Sequence, residues 1–315
     1  MGILKPHIHI ICMEQKKHHI FKGDVLTLGQ QAVYSTISDV KTILALYKVQ
    51  LKELPISFNT TTKIPHWKGT PHYGRYTNAQ SLFTMLGADN VYVTDVSTYE
   101  DPDFIINLND PVEDNYYEKF DTIVDVGTLE HIFDISTALD NISKMLKKGG
   151  NVVMIHPCSN YIDHGFYSFS PTLFFDYFDA NGFSNMSCYL REGSPYNYEK
   201  KGRLFRYNYV GKEIPLISCQ AIEVAFLATK IKKYNPNYTV KPIQSIYRQS
   251  ELWNINNGDS RSTSGLVSEG GRLRGKIKEF LLSILYYTKS FRPVFVDKLI
   301  FGWIRGKNLK YLGKY

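Results

Sequence analysis

The sequence predicts an α/β fold built on a doubly wound, mostly parallel sheet of seven strands. Short apolar segments alternate with segments of helical period between residues 24 and 230, an alternation typical of parallel sheets. The 315 residues are 43% hydrophobic and 21% charged, which excludes a mostly disordered or collagen-like chain. We therefore predict this domain over residues 1–234 and a helical, basic extension over residues 235–315.

The first half of the domain contains three of the predicted strands. Residues 24–29, 90–95 and 104–106 form short apolar runs, and apolar spacing predicts helices over 40–51 and 78–86. Residues 54–76 are rich in Thr, Pro, Gly and His, which indicates a long inserted loop. Its aromatic and histidine side chains suit either a lid over a site or a surface loop packed on itself.

The second half contains the other four strands. They are predicted at 120–126, 152–155, 187–190 and 221–229, with helices over 135–146 and 170–181. Ser170 and Pro171 are typical of a helix start, as N-cap and first helical residue. Residues 147–150, Lys-Lys-Gly-Gly, are predicted to end the preceding helix, because cations and a left-handed glycine stabilise a helix C-terminus.

Polar residues follow several of these strands at one edge of the predicted sheet. In such folds ligands bind beyond the carboxyl ends of the strands, where the strand order reverses. Gly29 follows the first strand and allows close approach of the backbone to a ligand. Asp95 ends the second strand, where a carboxylate can accept hydrogen bonds from a ribose diol. Residues 125–131, Asp-Val-Gly-Thr-Leu-Glu-His, end the fourth strand and begin the loop after it.

These segments resemble the class I S-adenosylmethionine (SAM) dependent methyltransferases. The resemblance covers roughly residues 22–230 and is most specific at 127–131 and 146–150. Residues 164–171 and 181–183 are similar to a subgroup from bacterial glycan and small-metabolite gene clusters. The glycine loop departs from the family, since Gly29-Gln30-Gln31-Ala32 keeps one glycine where the family usually has Gly-x-Gly-x-Gly.

The resemblance implies a Rossmann-like sheet and SAM as the cofactor. Gly29, Gln30 and Gln31 would line the methionine part of SAM, and Asp95 with Val96 would bind its ribose. Asp95 also suits a plain turn, so a structural role stays open. Asn107, Leu108 and Asn109 would lie beside the adenine. The residues beside the methyl group would be Asp125, Val126, Gly127 and Glu130.

Histidines supply the candidate catalytic groups. Methyl transfer to oxygen requires a hydroxyl that loses its proton, and a histidine suits that step. His164, in the loop after the fifth strand, is the candidate base, with Asp163 beside it to orient the ring, and His131 is a second candidate. Each also suits an ordinary packed or polar site, and in-line positioning alone needs no base. We predict no metal site, because His66 and His72 have no Cys or carboxylate partner.

The net charge of +7 comes from the C-terminal segment of the chain, whose own balance is +9. Residues 261–315 contain twelve Lys or Arg and three acidic residues, so the rest of the chain is slightly negative. Three interpretations stay open: packing on the domain or on a second subunit, a basic and aromatic anchor at a membrane surface, or binding of a polyanion. The near-neutral main domain disfavours nucleic acid as a partner.

Cysteine and hydropathy patterns predict a cytoplasmic protein. The four cysteines form no Cys-x-x-Cys pair, no signal peptide is recognised, and no apolar run approaches the ~20 residues of a membrane-spanning helix. Peripheral attachment to the inner membrane face remains an alternative for the C-terminal segment.

Together these patterns predict a SAM-dependent methyltransferase that acts on an oxygen of a sugar, a glycan precursor or a small polar metabolite. Two alternatives stay open. The single-glycine loop also suits a methyltransferase-fold protein that binds or scaffolds without turnover. Nucleotide-sugar transfer on a similar sheet is the second alternative. It would favour an Asp-x-Asp metal motif at a strand end, but the only such triplet near a strand, Asp-Pro-Asp at 101–103, lies in a loop.

Overall fold

In the residues that the structure describes, the strands form a nine-stranded sheet and a three-stranded sheet, as given by a computed structural model. The structure describes residues 2–55, 61–62, 75–194, 202–209, 211, 218, 220–233, 240–248 and 309–315. The helices are α1 (Lys5–His18), α2 (Ile37–Tyr47), α3 (Ala79–Leu86), α4 (Ile135–Met145), α5 (Pro171–Ala180) and α6 (Ser245–Arg248). The strands are β1 (Asp24–Leu28), β2 (Ala32–Thr36), β3 (Thr61–Thr62), β4 (Tyr76–Asn78), β5 (Asn90–Asp95), β6 (Phe104–Ile105), β7 (Phe120–Val126), β8 (Leu146–Ser159), β9 (Phe183–Gly193), β10 (Arg203–Tyr207), β11 (Ala221–Lys230) and β12 (Leu309–Lys314).

The large sheet has the strand order β12-β10-β9-β11-β8-β7-β1-β5-β6. The five strands from β8 to β6 are parallel to one another. Counted along the chain, these parallel strands lie in the order 3-2-1-4-5, the arrangement of doubly wound dinucleotide-binding sheets. The order reverses between β1 and β7, so a ligand crevice is expected beyond the carboxyl ends of these two strands.

The predicted α/β fold is confirmed, but the predicted count of seven strands is wrong. β10 and β12 add two strands at one edge, where Arg203 pairs with Lys314 and Tyr207 with Leu309. The sheet is also mixed rather than mostly parallel, because four of its eight neighbouring pairs are antiparallel. β12 comes from the end of the chain, so local patterns do not reveal its partner.

Helices cover both faces of the sheet. Side chains of α1, α2 and α3 form one hydrophobic cluster with inward residues of the strands, such as Ile155 and Ala225. On the other face, Phe174 and Phe178 of α5 stack on Phe226, the next residue along β11. Successive strand residues point to opposite faces of the sheet. Ala225 therefore packs under α1, α2 and α3, and Phe226 packs under α5.

The junction of α4 and β8 differs from its prediction. α4 ends at Met145, and Leu146 already has the extended φ of −76° and ψ of 133°. Residues 147–150 therefore belong to β8 rather than to a helix cap. Gly150 is packed closely there, since a Cβ would lie 2.9 Å from the carbonyl oxygen of Lys147 and 3.0 Å from that of Asp121.

The chain divides into two compact units. The first comprises Met1–Val210, Ile217–Gln244 and Leu309–Tyr315, so the last strand belongs to the main sheet and not to a helical extension. The second comprises Gly211–Leu216 and Ser245–Asn308, of which the structure describes Gly211 and α6. Most of the predicted basic extension and most of the loop at 54–76 lie outside the described residues. Within the described ranges, no helix is long and apolar enough to cross a bilayer.

A buried ion cluster joins α1 to the antiparallel half of the sheet. Oε2 of Glu223 lies 2.8 Å from Nε2 of His7 and 2.8 Å from Nη1 of Arg191, and the Tyr161 hydroxyl donates to Oε1 at 2.8 Å. Burial by itself would raise the pKa of Glu223, but the charges of Arg191 and His7 outweigh it and lower the pKa to about 2. The carboxylate is therefore charged and paired throughout the neutral range.

The substitution Glu223→Gln should lower the free energy of unfolding by about 3–5 kcal/mol, because the buried Arg191 guanidinium loses its counter-charge. The matched control is Asp89→Asn, which breaks the exposed pair between Asp89 and Lys52 and should cost much less. Urea unfolding of the three proteins measures both changes. Equal losses for the two variants would contradict the importance of the buried cluster.

Candidate functional site

The carboxyl ends of β1, β5, β7 and β8 meet along one edge of the large sheet. The Thr128 hydroxyl, in the loop after β7, donates to the carbonyl oxygen of Leu28 at the end of β1 at 2.6 Å. The Gly29 amide donates to the carbonyl oxygen of Thr94 in β5 at 2.8 Å. The structure thus brings together Gly29, Asp95 and the loop after β7, as the sequence predicts.

The loop after β1 is made by one left-handed glycine. Gly29 has a φ of 73°, where a Cβ would be strained and would lie 3.2 Å from Oγ1 of Thr128. Gln30 is exposed, whereas Gln31 is buried and its side-chain amide donates to the carbonyl oxygen of Leu28 at 2.7 Å. The backbone at Gly29 and the side chain of Gln30 are therefore the parts of this loop that a ligand can contact.

Asp95 offers a carboxylate oxygen at the end of β5. It is half-buried, and its Oδ1 accepts a hydrogen bond from the Ser97 amide at 3.0 Å. Its Oδ2 makes no hydrogen bond with any described residue. Val96 is exposed beside it. A carboxylate in this position can accept hydrogen bonds from the diol of a nucleoside.

A compact turn after β6 continues the same rim. Oδ1 of Asn107 accepts a hydrogen bond from the Asn109 amide at 3.1 Å, and Leu108 is buried beneath them. Oδ1 of Asn109 accepts from the Asp134 amide before α4 at 2.9 Å. The Ile106 amide donates to the carbonyl oxygen of Asp95 at 2.9 Å, which fixes this turn next to the carboxylate.

On the other side of the strand reversal, three ionisable side chains form a buried cluster beneath the loop after β7. Oε2 of Glu130 lies 3.0 Å from Nδ1 of His156, and Nε2 of His156 lies 3.4 Å from Oδ2 of Asp125. All three side chains are at most 1% exposed. Asp125 also accepts a hydrogen bond from the Thr128 amide at 2.9 Å, so the cluster fixes the shape of the loop.

The pKa values of these groups are shifted by burial and by one another. Burial raises the pKa of Asp125 to about 6, against the opposing charge of His156. Burial would lower the pKa of His156, but the charges of Asp125 and Glu130 outweigh it and raise the pKa. Burial would likewise raise the pKa of Glu130, and the hydrogen bond from His156 reverses that shift. Both carboxylates therefore favour the charged form of the His156 imidazole between them.

The second oxygen of Glu130 faces the two predicted catalytic histidines. Oε1 lies 3.6 Å from Nε2 of His164 and 4.0 Å from Nε2 of His131. The side chains of His131 and His164 are 48% and 32% exposed, so both can be reached from solvent. Burial lowers the pKa of His131. A buried carboxylate and two accessible imidazoles thus meet at the end of β7 and β8.

Asp163, Val126 and Asp125 have neighbours or burial that the sequence did not indicate. Asp163 is exposed and, in the described part of the chain, forms no hydrogen bond or ion pair with His164; the carboxylate beside His164 is Glu130. Val126 is buried in the hydrophobic core, and Asp125 lies beneath the loop. Gly127 begins that loop with a φ of 92°.

His156 is a member of the buried cluster that the sequence did not predict as a site residue. Its signal was the His-Pro pair at the end of a buried strand, which suits packing as well as chemistry. The ring does pack on Phe169 and Phe174, and its two nitrogens face Asp125 and Glu130 as well. Only the three-dimensional arrangement separates the two roles.

A cavity of about 650 Å³ lies at the opposite, amino edge of the sheet. It lies between the end of α1, the segment after α2 and the end of α3, and it is lined partly by Lys16, Lys22, Lys48 and Lys52. Its lining includes none of the residues predicted to bind a ligand. The predicted residues meet instead at the carboxyl edge, which is the candidate functional site.

Comparison with known proteins gives structural similarity only. No protein-family model and no curated protein matches the sequence. Among solved structures, the carbon methyltransferase CurJ has a TM-score of 0.36 and 8% identity, over 73% of this chain and 54% of CurJ. The chain thus spans about half the length of that protein.

Two other solved structures have similar scores. The N-methyltransferase NodS from Bradyrhizobium japonicum is 14% identical over 72% of this chain and 96% of its own, with a TM-score of 0.33. A Burkholderia thailandensis 1,6-didemethyltoxoflavin-N1-methyltransferase, solved with 1,6-didemethyltoxoflavin and S-adenosylhomocysteine, is 12% identical over 72% of this chain and 78% of its own, with a TM-score of 0.35. Similarity at this level assigns neither a family nor a substrate.

The raised pKa of Asp125 predicts a specific pH dependence. The folded state keeps a proton on Asp125 up to about pH 6, whereas the unfolded chain releases it near pH 3.8. The folded state is therefore stabilised at low pH, and this contribution is lost as the pH rises through 6. Between pH 4 and 6.5, wild-type stability should fall by up to about 3 kcal/mol relative to Asp125→Asn.

Urea unfolding of both proteins at several pH values in this range measures that difference. Carboxylates outside the buried cluster titrate in the same range, but they are common to both proteins and cancel in the comparison. His156 loses the charge of Asp125 in the variant, so its pKa falls and this change contributes to the measured difference. Parallel pH profiles would show that Asp125 ionises as freely in the folded protein as in the unfolded chain.

Proposed function

We propose that this protein is a SAM-dependent methyltransferase that transfers the methyl group to an oxygen of a sugar, a glycan precursor or a small polar metabolite. The observation that carries the proposal is the division of one sheet edge into two half-sites. A carboxylate and a left-handed glycine lie at the ends of β5 and β1, and Glu130, His131 and His164 lie at the ends of β7 and β8. The first half-site suits the cofactor, and the second suits an acceptor.

The first half-site fits SAM in chemical terms. Oδ2 of Asp95 makes no hydrogen bond with a described residue and can accept one from the ribose diol, and the turn at 107–109 lies beside it for the adenine. Gly29 has no side chain to keep the amino-acid part of the cofactor away from the end of β1. SAM, when bound, supplies a methyl group on a positively charged sulfur.

The second half-site suits an acceptor hydroxyl. In the transfer, a bond forms between the acceptor oxygen and the methyl carbon while the carbon–sulfur bond breaks and its electrons stay on sulfur. The hydroxyl proton must leave, and the cluster of Glu130, His131 and His164 is where it is lost. The exposed rings of Phe133 and Phe166, 5.7 Å apart beside this cluster, offer faces on which a sugar ring can stack.

Binding of SAM tests the cofactor assignment. SAM and S-adenosylhomocysteine at 100 times their dissociation constants should stabilise the protein by about 2.7 kcal/mol, a rise in Tm of roughly 5–10 °C. A UDP-sugar and NAD should have no effect. Asp95→Asn should weaken SAM binding about tenfold or more, because a charge-assisted hydrogen bond is lost.

The control for Asp95→Asn is Asp179→Asn, at an exposed position on α5, which should leave the SAM-induced shift unchanged. A shift with the UDP-sugar alone would favour nucleotide-sugar transfer. No shift with any of these ligands would favour a scaffold without turnover.

Transfer of labelled methyl from SAM to a panel of sugars, sugar nucleotides and small polyhydroxy compounds tests the reaction. His164→Asn should lower kcat by about 10²–10⁴ while the SAM-induced shift in Tm stays, because His164 lies in the acceptor half-site. His19→Asn is the matched control, since His19 is an exposed residue at the end of α1 with a left-handed φ of 47° that Asn tolerates. Label transfer to nitrogen-bearing acceptors alone would refute the assignment to oxygen.

A further inference from the structure

Three metal-ligating side chains converge at the acceptor half-site. Oε1 of Glu130 and one ring nitrogen each of His131 and His164 all lie within 4.8 Å of one another. We propose that these three residues bind one divalent transition-metal cation, with Zn²⁺ as the best-suited ion. The sequence predicts no metal site on the ground that His66 and His72 lack a Cys or carboxylate partner, whereas the structure brings His164 from a different loop to the adjacent residues Glu130 and His131.

The distances match those between ligands of a shared cation. Two ligand atoms at about 2.0–2.1 Å from a tetrahedral Zn²⁺ lie roughly 3.4 Å apart. Oε1 of Glu130 lies 3.6 Å from Nε2 of His164 and 4.0 Å from Nε2 of His131. The two ring nitrogens lie within 4.8 Å of one another, so the partly exposed imidazoles would have to move closer together by up to about 1.4 Å to complete the geometry.

Two of the ligand atoms lack any other partner. Oε1 of Glu130 and Nε2 of His164 are inaccessible to solvent and make no hydrogen bond. Their separation of 3.6 Å is too long for a hydrogen bond between them. Buried polar atoms without partners are rare because they cost free energy. A cation between them would satisfy both.

The remaining atoms of these residues are positioned by other side chains. Oε2 of Glu130 is fixed by Nδ1 of His156 at 3.0 Å, the kind of support that ligating carboxylates usually have. The ring of Tyr161 lies against that of His164, with centroids 5.4 Å apart, and the Tyr161 hydroxyl is fixed on Glu223 at 2.8 Å. The side chains of Glu130 and His164 are therefore each held by a neighbouring side chain.

The two loops that carry the ligands are joined by backbone hydrogen bonds. The amides of Phe166 and Tyr167 both donate to the carbonyl oxygen of Glu130, at 2.7 and 3.2 Å. Gly165 allows this contact, because a Cβ there would lie 2.7 Å from that oxygen and 3.1 Å from Nδ1 of His131. The loops therefore place the ligands side by side before any ion binds.

The donor set selects the class of ion. One carboxylate and two imidazoles suit Zn²⁺ and neighbouring transition metals, whereas Mg²⁺ prefers oxygen ligands alone. Three protein ligands leave at least one coordination position free. The partly exposed rings of His131 and His164 leave the cluster an approach from solvent, although Oε1 of Glu130 and Nε2 of His164 are themselves inaccessible.

The catalytic role of the ion rests on the proposed function, although its binding does not. An acceptor hydroxyl in the free position would have its pKa lowered by the cation, as bound water does. Its proton would pass to solvent water, and the oxygen would attack the methyl carbon with its own electron pair. The ion thus replaces a general base and changes no oxidation state.

Equilibrium dialysis of the full chain, first stripped with a chelator, tests the site directly. Zn²⁺, Mn²⁺ and Mg²⁺ are offered separately, and bound metal is measured by elemental analysis. We expect one Zn²⁺ per chain, weaker Mn²⁺ and much weaker Mg²⁺. His131→Asn and His164→Asn should each weaken Zn²⁺ binding by at least about 100-fold, and His19→Asn should leave it unchanged. Melting curves of the metal-free proteins check that each variant folds.

Visible absorption of bound Co²⁺ gives a second readout, which should appear with the wild type and be lost in His164→Asn. Zn²⁺ affinity unchanged in both folded histidine variants, or Mg²⁺ bound as tightly as Zn²⁺, would overturn the proposal. The SAM-induced shift in Tm is measured on the same metal-free protein. Zn²⁺ binding without any SAM binding would refute the proposed function alone, and methyl transfer without bound metal would refute the catalytic role of the ion alone.

Discussion

Glu130 and His156 form a hydrogen bond in a fully buried position where β7 and β8 end side by side. The same imidazole lies beside Asp125, so one cation compensates two carboxylates that would otherwise be costly to bury. Asp125 in turn accepts the Thr128 amide, and Thr128 reaches across to Leu28. The shape of the loop after β7, its contact with β1 and the position of Glu130 Oε1 all follow from this arrangement.

A further buried carboxylate, that of Glu223, supports the same site from the other face of the sheet. In β11, Glu223 pairs with Pro157 and Val224 with His156, so Glu223 and His156 project to opposite faces. Tyr161 connects Glu223 to His164 of the site, since its hydroxyl binds Glu223 and its ring contacts His164. The acceptor half-site is therefore positioned by both layers of the domain, and α1 takes part through His7.

Local patterns in the sequence predicted most elements of the domain but not the contacts between them. Apolar runs located β1, β5 and β7 because a buried parallel strand needs such a run. The cap at residues 147–150 failed because Lys-Lys-Gly-Gly also suits a strand that crosses close to Asp121. The pairing of β12 with β10 depends on residues far apart in the chain, and no local pattern encodes it.

In the candidate site, too, the sequence predicted positions along the chain but not the contacts between loops. Gly29, Asp95 and His131 were identified because each follows a strand, and parallel strands bring such residues to one edge. Asp163 was chosen as the partner of His164 because it is adjacent in sequence. The actual neighbour is Glu130, which a backbone contact between two loops brings there. Adjacency in the chain carries little information where the partners lie on different loops.

The single-glycine loop after β1 has a structural explanation that bears on cofactor binding. The carbonyl oxygen of Leu28 accepts both the Gln31 side-chain amide and the Thr128 hydroxyl, so the end of this strand is satisfied from within the protein. Gln31 is turned inward and leaves only Gly29 and Gln30 at the crevice. A ligand here must therefore be recognised mainly from the β5 side, through Asp95, and from the β7 side. With a single glycine in this loop, the contacts of the proposed cofactor would come mainly from those strands.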